Sequence, residues 1–412
     1  MIFRPGQSSA DLPGDVGSEP GLRVLHVIPS LSHEHGGPTL AVRQMLAAMS
    51  ATSISLDVAS TDDGHPAATA AHNSFYFRKV LNFYKFAPGF VLWFWQRAKD
   101  YDVVHIHALF SFLSTAAGFI AMCRGVPYIL RPLGTLAAYG VSRRRPWLKR
   151  LSVTVIERPL LRRAAAVHFT SHAELEEARQ LNCRFRSVVI PLAAQSTPEH
   201  TSELVREPTN LHRFDQAKIL YLSRLDPKKN LEGLLHAFVA VGKRVPHARL
   251  VIAGSGDATY VASLVRLCDE LGISSSVAWV GFVSGEAKAN LFNEAALYVL
   301  PSFSENFGIA VAEALAAGLP CVVSTGVALA SDIVEYGAGR AVAPEPEALA
   351  EAIIDLIQDG LALKNASSNA VRLANERFSM SAMRDRLIDL YNDVSTRDDT
   401  GVRASQRRIN TH

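Results

Sequence analysis

The chain has 412 residues, 48% hydrophobic and 20% charged, with a formal net charge of +3. That is enough for two or three domains with full cores, and the charge is low for a nucleic-acid binder. Four scattered cysteines, Cys123, Cys183, Cys268 and Cys321, form no CxxC pair and read as reduced thiols rather than a disulfide scaffold.

Residues 1–20 lack an apolar leader and read as a polar, Gly/Pro/Ser-rich tail. Then short β-branched runs alternate with amphipathic stretches. LRVLHVI (22–28) is a strand, GGPTLAVRQMLAAMS a loop and helix, and SLDVAS a strand. DVVHIHA (102–108), PYILRP (127–132), AVHFTS (166–171) and SVVIPLA (187–193) are further strands with helices between them. The uncharged run 108–123 is too short to span a membrane and reads as a buried helix. Residues 196–215 are polar, carry two prolines and read as a linker.

The alternation restarts with AKILYLSRL and continues through ARLVIAGSG, VAWVGF, LYVLPS and PCVVS, each followed by a helix. The last helix is expected over 379–394, with a polar tail over 395–412. Continuous apolar strands alternating with helices predict parallel sheets covered on both faces. The expectation is α/β: two Rossmann-like doubly wound domains, 21–195 and 216–378, facing a cleft, with ligands at the carboxyl ends of the strands.

Several constellations could carry chemistry. Arg224 follows a strand and Lys229 sits where the next helix begins. A cation at a helix N-terminus opposes the dipole, and a bound phosphate or diphosphate would remove the conflict. The plainer reading is two solvated charges. Glu313 lies in an apolar helix. Its neighbours three and four residues away, Ile309, Ala310, Ala316 and Ala317, offer it nothing. It either pairs with a distant cation or grips a ligand hydroxyl. Glu305 lies eight residues earlier, and eight helical residues rise ~12 Å. That is beyond the ~5–9.5 Å separations of glycosidase acid/base pairs, so hydrolysis by these two is disfavoured.

Gly36-Gly37 before Pro38 suits a loop where backbone approaches a ligand. AGSGDAT lacks a third glycine in place, so a nicotinamide dinucleotide site is weakly supported. His33, His35, His105 and His107 show no established zinc spacing, and no metal is expected. His107, nearest the carboxyl end of its strand, is the better candidate for facing a ligand. The segments 75–99, rich in aromatics, and 139–150, with five cations, read either as core aromatics plus a solvated face or as contact with an anionic membrane or lipid diphosphate.

The motifs SRLDPKKN, VIAGSGD, VGFVSGEAKANLF and ALYVLPSFSENFGIAVAEALAAGLPCVVS, in this order between about 217 and 340, resemble those of the retaining family-4 glycosyltransferases of the GT-B fold. The E-x7-E signature of that family corresponds to Glu305 and Glu313. The first half matches more loosely through GGP, DVVHIHA and GTL, in a version similar to bacterial polysaccharide-assembly glycosyltransferases. The resemblance implies that Arg224 and Lys229 hold the donor diphosphate and that Glu305 bonds the donor sugar. Backbone near Asn306, Phe307 and Gly308 would meet sugar or phosphate. Glu313 would grip the ribose, Phe282 and Val283 would lie by the base, and Gly37 would let its loop approach the donor. The final helix would cross back onto the first domain. Relatives often carry His or Arg before the glycine of GTL, where this chain has Leu133. Arg131 or His107 would then substitute, with Gly134 on the acceptor side.

The implied activity is retaining transfer of a hexose-type sugar from a nucleoside-diphosphate sugar to an acceptor hydroxyl. The acceptor would be a glycan or lipid-diphosphate precursor of bacterial exopolysaccharide or O-antigen. No cofactor, metal or nucleic acid is expected, and the location would be cytoplasmic at the inner face of the plasma membrane. The alternatives are a catalytically silent homologue and a two-lobed sugar- or nucleotide-binding protein.

Overall fold

The structure is a computed structural model. It describes residues 21–32, 37–62, 69–80, 86–134, 152–194 and 217–397. The expected tail 1–20, the basic segment 139–150, the linker 196–215, and His33 and His35 lie outside the described residues. The chain divides into two compact units. One comprises residues up to Ile190 together with those from Met383 onward. The other spans Pro191–Ala382.

Among the described residues the first unit is built on seven strands: β1 (Arg23–Val27), β2 (Ser55–Asp62), β3 (Asn73–Arg78), β4 (Val103–His107), β5 (Tyr128–Arg131), β6 (Ala166–Phe169) and β7 (Ser187–Val189). Their order is β3-β2-β1-β4-β5-β6-β7, every pairing parallel. The second unit has six among the described residues: β8 (Lys218–Leu222), β9 (Arg249–Ala253), β10 (Val277–Gly281), β11 (Leu297–Leu300), β12 (Cys321–Ser324) and β13 (Gly339–Val342). Their order is β10-β9-β8-β11-β12-β13, again all parallel. Each is the doubly wound arrangement, with the strand order reversing beside β1 and beside β8. The central strands β4, β11 and β12 are buried at every residue, which is why they read as unbroken apolar runs.

The aromatic segment resolves into β3 and the helix Pro88–Arg97. Phe77, Phe90, Trp93 and Phe94 enter the core of the first unit, while Leu92 and Trp95 remain exposed. Most of these rings are therefore core aromatics. Besides β3 and the helix Pro88–Arg97, the elements not expected from the sequence are the helix Ala330–Tyr336, β13, and the helix Gly360–Arg377. The last of these is rich in Asn and Ser and has a negative mean hydropathy, so its apolar stripe is faint. The final helix runs from Met380 to Arg397, three residues past the expected end. Among the described residues no helix is long and apolar enough to cross a membrane.

Candidate functional site

Parallel strands bring all their carboxyl ends to one edge of a sheet. In the second unit β8 and β11 are neighbours at the point where the strand order reverses. The segment after β8 carries Arg224 and Lys229, and the segment after β11 carries Glu305. Residues 76 positions apart in sequence thus meet: the Lys229 ammonium donates to Glu305 Oε2. Arg224 is exposed and near enough to lower the Lys229 pKa. Burial first, then the Arg224 and Lys228 charges, hold Lys229 down to about 8.

Local structure fixes these side chains. Pro227–Lys229 form a single 3-10 turn, capped when the Asp226 carboxylate accepts from the Lys228 N–H. Asn230, in the left-handed region at φ 55°, starts the helix Leu231–Arg244. Its side-chain amide donates to the carbonyls of Pro301 and Pro344 at 3.2 and 2.8 Å, tying the Lys229 turn to the segment that leads to Glu305. The glycines of AGSG have a packing reason rather than a dinucleotide one. A Cβ on Gly256 would sit 2.1 Å from the Leu225 carbonyl oxygen, so only glycine lets this loop lie against the Arg224 segment.

Glu305 is held by its backbone, whose N–H donates to the Gly326 carbonyl at 2.9 Å. Gly308, at φ 87°, then turns the chain into the helix Ile309–Ala316. A non-glycine residue is strained at that φ, and a Cβ would press on Val311 at 3.2 Å. Asn306 is exposed, and Phe307 is buried edge-on to Phe378.

Glu313, 5% exposed, accepts from Lys288 Nζ at 2.6 Å. Burial raises its pKa while Lys288 pulls it back down, and the net shift is upward. The distant cation that its own helix could not supply comes from the helix Gly285–Glu294. Lys288 was not singled out in the sequence. The two glutamates therefore do not share a cation: each has its own lysine. Phe282 follows β10 at the same sheet edge and is 75% exposed, an apolar ring left in solvent, with Val283 half-buried beside it in sequence.

In the first unit the sequence candidates also lie at carboxyl ends. Gly37 heads the helix Gly37–Met49. His107 ends β4 and Arg131 ends β5, paired in register. Both are buried, at 0% and 1% exposure. The reading that set His107 at the strand end facing a ligand meets a ring packed in the interior. The reason is pleat and cover. His26, His105, His107 and Arg131 occupy same-face register positions, and Tyr391 of the final helix bonds His26 and His105 there. That helix thus joins the first unit, where Arg186 also pairs with Asp393.

The loops after β4 and β5 are strained. Ala108, Phe110 and Leu133 all have positive φ, at 69°, 56° and 58°, a conformation that costs a non-glycine residue and concentrates at functional sites. Gly134 donates its N–H to Glu174 at 2.6 Å, and the other Glu174 oxygen accepts from Thr170. Glu157, on a π-helical turn at Val153–Glu157, accepts from the Phe110 N–H at 3.3 Å, and burial raises its pKa to about 7. Sequence spacing alone did not mark Glu157, because its partner lies 47 residues away.

His26, His105 and His107 lie close enough for their nitrogens to reach one metal ion. Most of those nitrogens are already spent on hydrogen bonds to Tyr391 and to one another. A metal would have to displace these bonds beside the Arg131 guanidinium.

Comparison with known proteins agrees with this architecture. Residues 36–193 match the "Glycosyl transferase 4-like domain", and residues 207–373 match "Glycosyl transferases group 1". The chain belongs to the family-4 glycosyltransferases of the GT-B fold. It is 34% identical over 178 residues to an uncharacterised glycosyltransferase of Methanocaldococcus jannaschii, covering 43% of this chain and 45% of that one. It is 28% identical over 248 residues to the alpha-D-kanosaminyltransferase of Streptomyces kanamyceticus, covering 58% of this chain and 63% of that one. The chain thus spans less than two thirds of the length of either relative. The crystal structure of Anabaena HepE in complex with UDP superposes with a TM-score of 0.70 at 20% identity, over 90% of this chain and all of that one. This last likeness concerns the fold.

Proposed function

We propose that this protein transfers a sugar from a nucleoside-diphosphate sugar to an acceptor hydroxyl, with retention of anomeric configuration. The observation that carries the reading is the meeting of Arg224, Lys229 and Glu305 at the strand-order reversal of the second sheet, with Glu313 on the helix that follows. Arg224 and Lys229 are the cations that would take the charge of the departing diphosphate, so the reading assigns that work to side chains and no metal. Preorganised charge of this kind is typically worth 10²–10³ in rate per donor. Glu305 would accept hydroxyls of the sugar, and Glu313 those of the ribose. Phe282, exposed on the same sheet edge, offers a ring to the base. The binding of UDP by the HepE relative of this fold supports a nucleotide donor.

The acceptor we propose is a glycan or lipid-diphosphate precursor, met in the cytoplasm at the inner membrane face. The acceptor oxygen would attack from the side the diphosphate leaves, with the phosphate helping to take its proton. The test is release of nucleoside diphosphate from UDP- and GDP-sugars. Lys229→Ala should lower turnover by about 10²-fold or more while the thermal transition stays in place. Turnover near the wild-type rate would overturn the assignment. Ligand binding without any turnover would favour a silent, sugar-nucleotide-binding homologue instead.

A further inference from the structure

Five buried side chains of the first unit, His168, His105, Tyr391, His26 and His107, form one continuous hydrogen-bonded chain. His168 Nε2 lies 3.0 Å from the Ile190 carbonyl oxygen, and His168 Nδ1 lies 3.3 Å from His105 Nε2. His105 Nδ1 is 2.9 Å from the Tyr391 hydroxyl, which is 3.2 Å from His26 Nε2. His26 Nδ1 is 2.9 Å from His107 Nε2. All four rings and Tyr391 are fully buried.

A carbonyl only accepts, and this fixes every proton in the chain. His168 Nε2 must carry hydrogen. Burial, with Arg131 adding to it, holds the His168 and His26 pKa values near 3, and burial also lowers those of His105 and His107 well below the ordinary imidazole range. All four rings are therefore neutral, with one donor and one acceptor each. His168 Nδ1 accepts, so His105 Nε2 donates. His105 Nδ1 accepts, so Tyr391 O–H donates to it. The Tyr391 oxygen is left to accept from His26 Nε2, and His26 Nδ1 accepts from His107 Nε2. His107 Nδ1 then ends the chain as a bare lone pair. Among the described residues it has no hydrogen-bond partner. Arg131, beside it in register, has Nε and Nη2 equally without one, and its Nη1 reaches only Met45 Sδ at 3.9 Å. Buried polar atoms are rarely left unpaired.

We infer that His107 Nδ1 and the Arg131 guanidinium form a site for one hydroxyl oxygen, which donates to His107 and accepts from Arg131. An aprotic anion such as sulfate or chloride would satisfy Arg131 but has no proton for the lone pair. A hydroxyl satisfies both. It comes either from an internal water or from an alcohol group of a carbohydrate; only the second source rests on the glycosyltransferase reading. Tyr391 is a positioning residue, since its single hydrogen sets the direction of the chain on both sides.

The test is long-range 1H–15N correlation of the full chain labelled with 15N-histidine, which reads tautomers without turnover and so fails separately from the enzymatic reading. All four rings should be neutral and protonated at Nε2, and His107 Nδ1 should resonate as a hydrogen-bonded acceptor. Arg131→Met should return that nitrogen to the unbonded position without changing the tautomer. Tyr391→Phe should leave His26 and His107 in mixed tautomers while circular dichroism shows the protein folded. A water cross-relaxation peak to the His107 ring supports the water source. Movement of the Nδ1 signal on adding methyl α-glucoside supports the carbohydrate source. An Nδ1–H tautomer at His107, an unbonded Nδ1 with and without glucoside, or saturable shifts with Zn2+ would overturn the inference.

Discussion

Lys288 Nζ lies 2.6 Å from Glu313 Oε1, joining two helices whose contacting residues are 25 positions apart. Glu313 is almost wholly buried and Lys288 stands at the rim, and the lysine opposes the rise that burial gives the Glu313 pKa. Breaking a pair by removing one partner leaves an uncompensated buried charge. Lys288→Met should therefore raise the Glu313 pKa further and weaken UDP binding most at the acid end. Isothermal titration from pH 6 to 9 should show affinity rising with pH in the variant, as Glu313 regains the charge that accepts ribose hydroxyls. A flat profile equal to wild type would argue against the role. Glu313→Gln should weaken nucleotide binding more than it lowers the melting temperature.

Lys229 sets the opposite slope. Its pKa is about 8 in the protein alone, and only the ammonium form attracts diphosphate. Affinity for a nucleoside diphosphate should fall as pH rises above 8, with proton uptake on binding in the same window. Lys229→Arg, which stays charged, should remove that fall even if its absolute affinity is lower. Titration in buffers of different ionisation enthalpy measures the uptake directly.

Glu157 makes a stability prediction. Its folded pKa is about 7 against an ordinary 4.5. Between those values the folded state binds more protons than the unfolded one, so stability falls as pH rises through the window and levels off above 7. The full effect is at most about 3 kcal/mol. Glu157→Gln should lack it, so the melting-temperature difference, variant minus wild type, should grow from pH 5 to pH 8. A constant difference would mean that the carboxyl titrates normally.

The fold was legible because its signal is local. Runs such as KILYL, LYVL and CVVS are apolar apart from the terminal Lys218 and Ser324, and a helix follows each. The Gly360–Arg377 helix escaped because it carries many polar residues, and β13 because its burial is partial. The second-unit residues were legible as separate pieces: a cation at a helix start, a carboxylate in an apolar helix. Their partners were not, because Lys229 with Glu305 and Lys288 with Glu313 are joined by tertiary folding rather than by spacing. The histidine chain was hidden for the same reason. His105 and His107 were visible as same-face neighbours, but His26, His168 and Tyr391 reach them from two other strands and the last helix.

Gly256 links backbone to binding. Alanine there would force its Cβ against the Leu225 carbonyl oxygen, displacing the segment that carries Arg224. Gly256→Ala should reduce diphosphate affinity out of proportion to its loss of thermal stability. Gly308→Ala is expected to cost about 1–2 kcal/mol from the left-handed backbone alone, read as a lowered melting temperature.

The central claim is that the second unit holds a nucleoside-diphosphate sugar through Arg224, Lys229, Glu305 and Glu313. A thermal-shift titration of wild type and Lys229→Ala against UDP- and GDP-sugars tests it most directly. At about 100 times Kd a true ligand stabilises by about 2.7 kcal/mol, and the wild-type transition should rise accordingly with at least one of them. The variant, folded with its own sharp transition, should not shift at the same concentration. Equal shifts in both proteins, or none in wild type with any nucleotide sugar, would contradict the account.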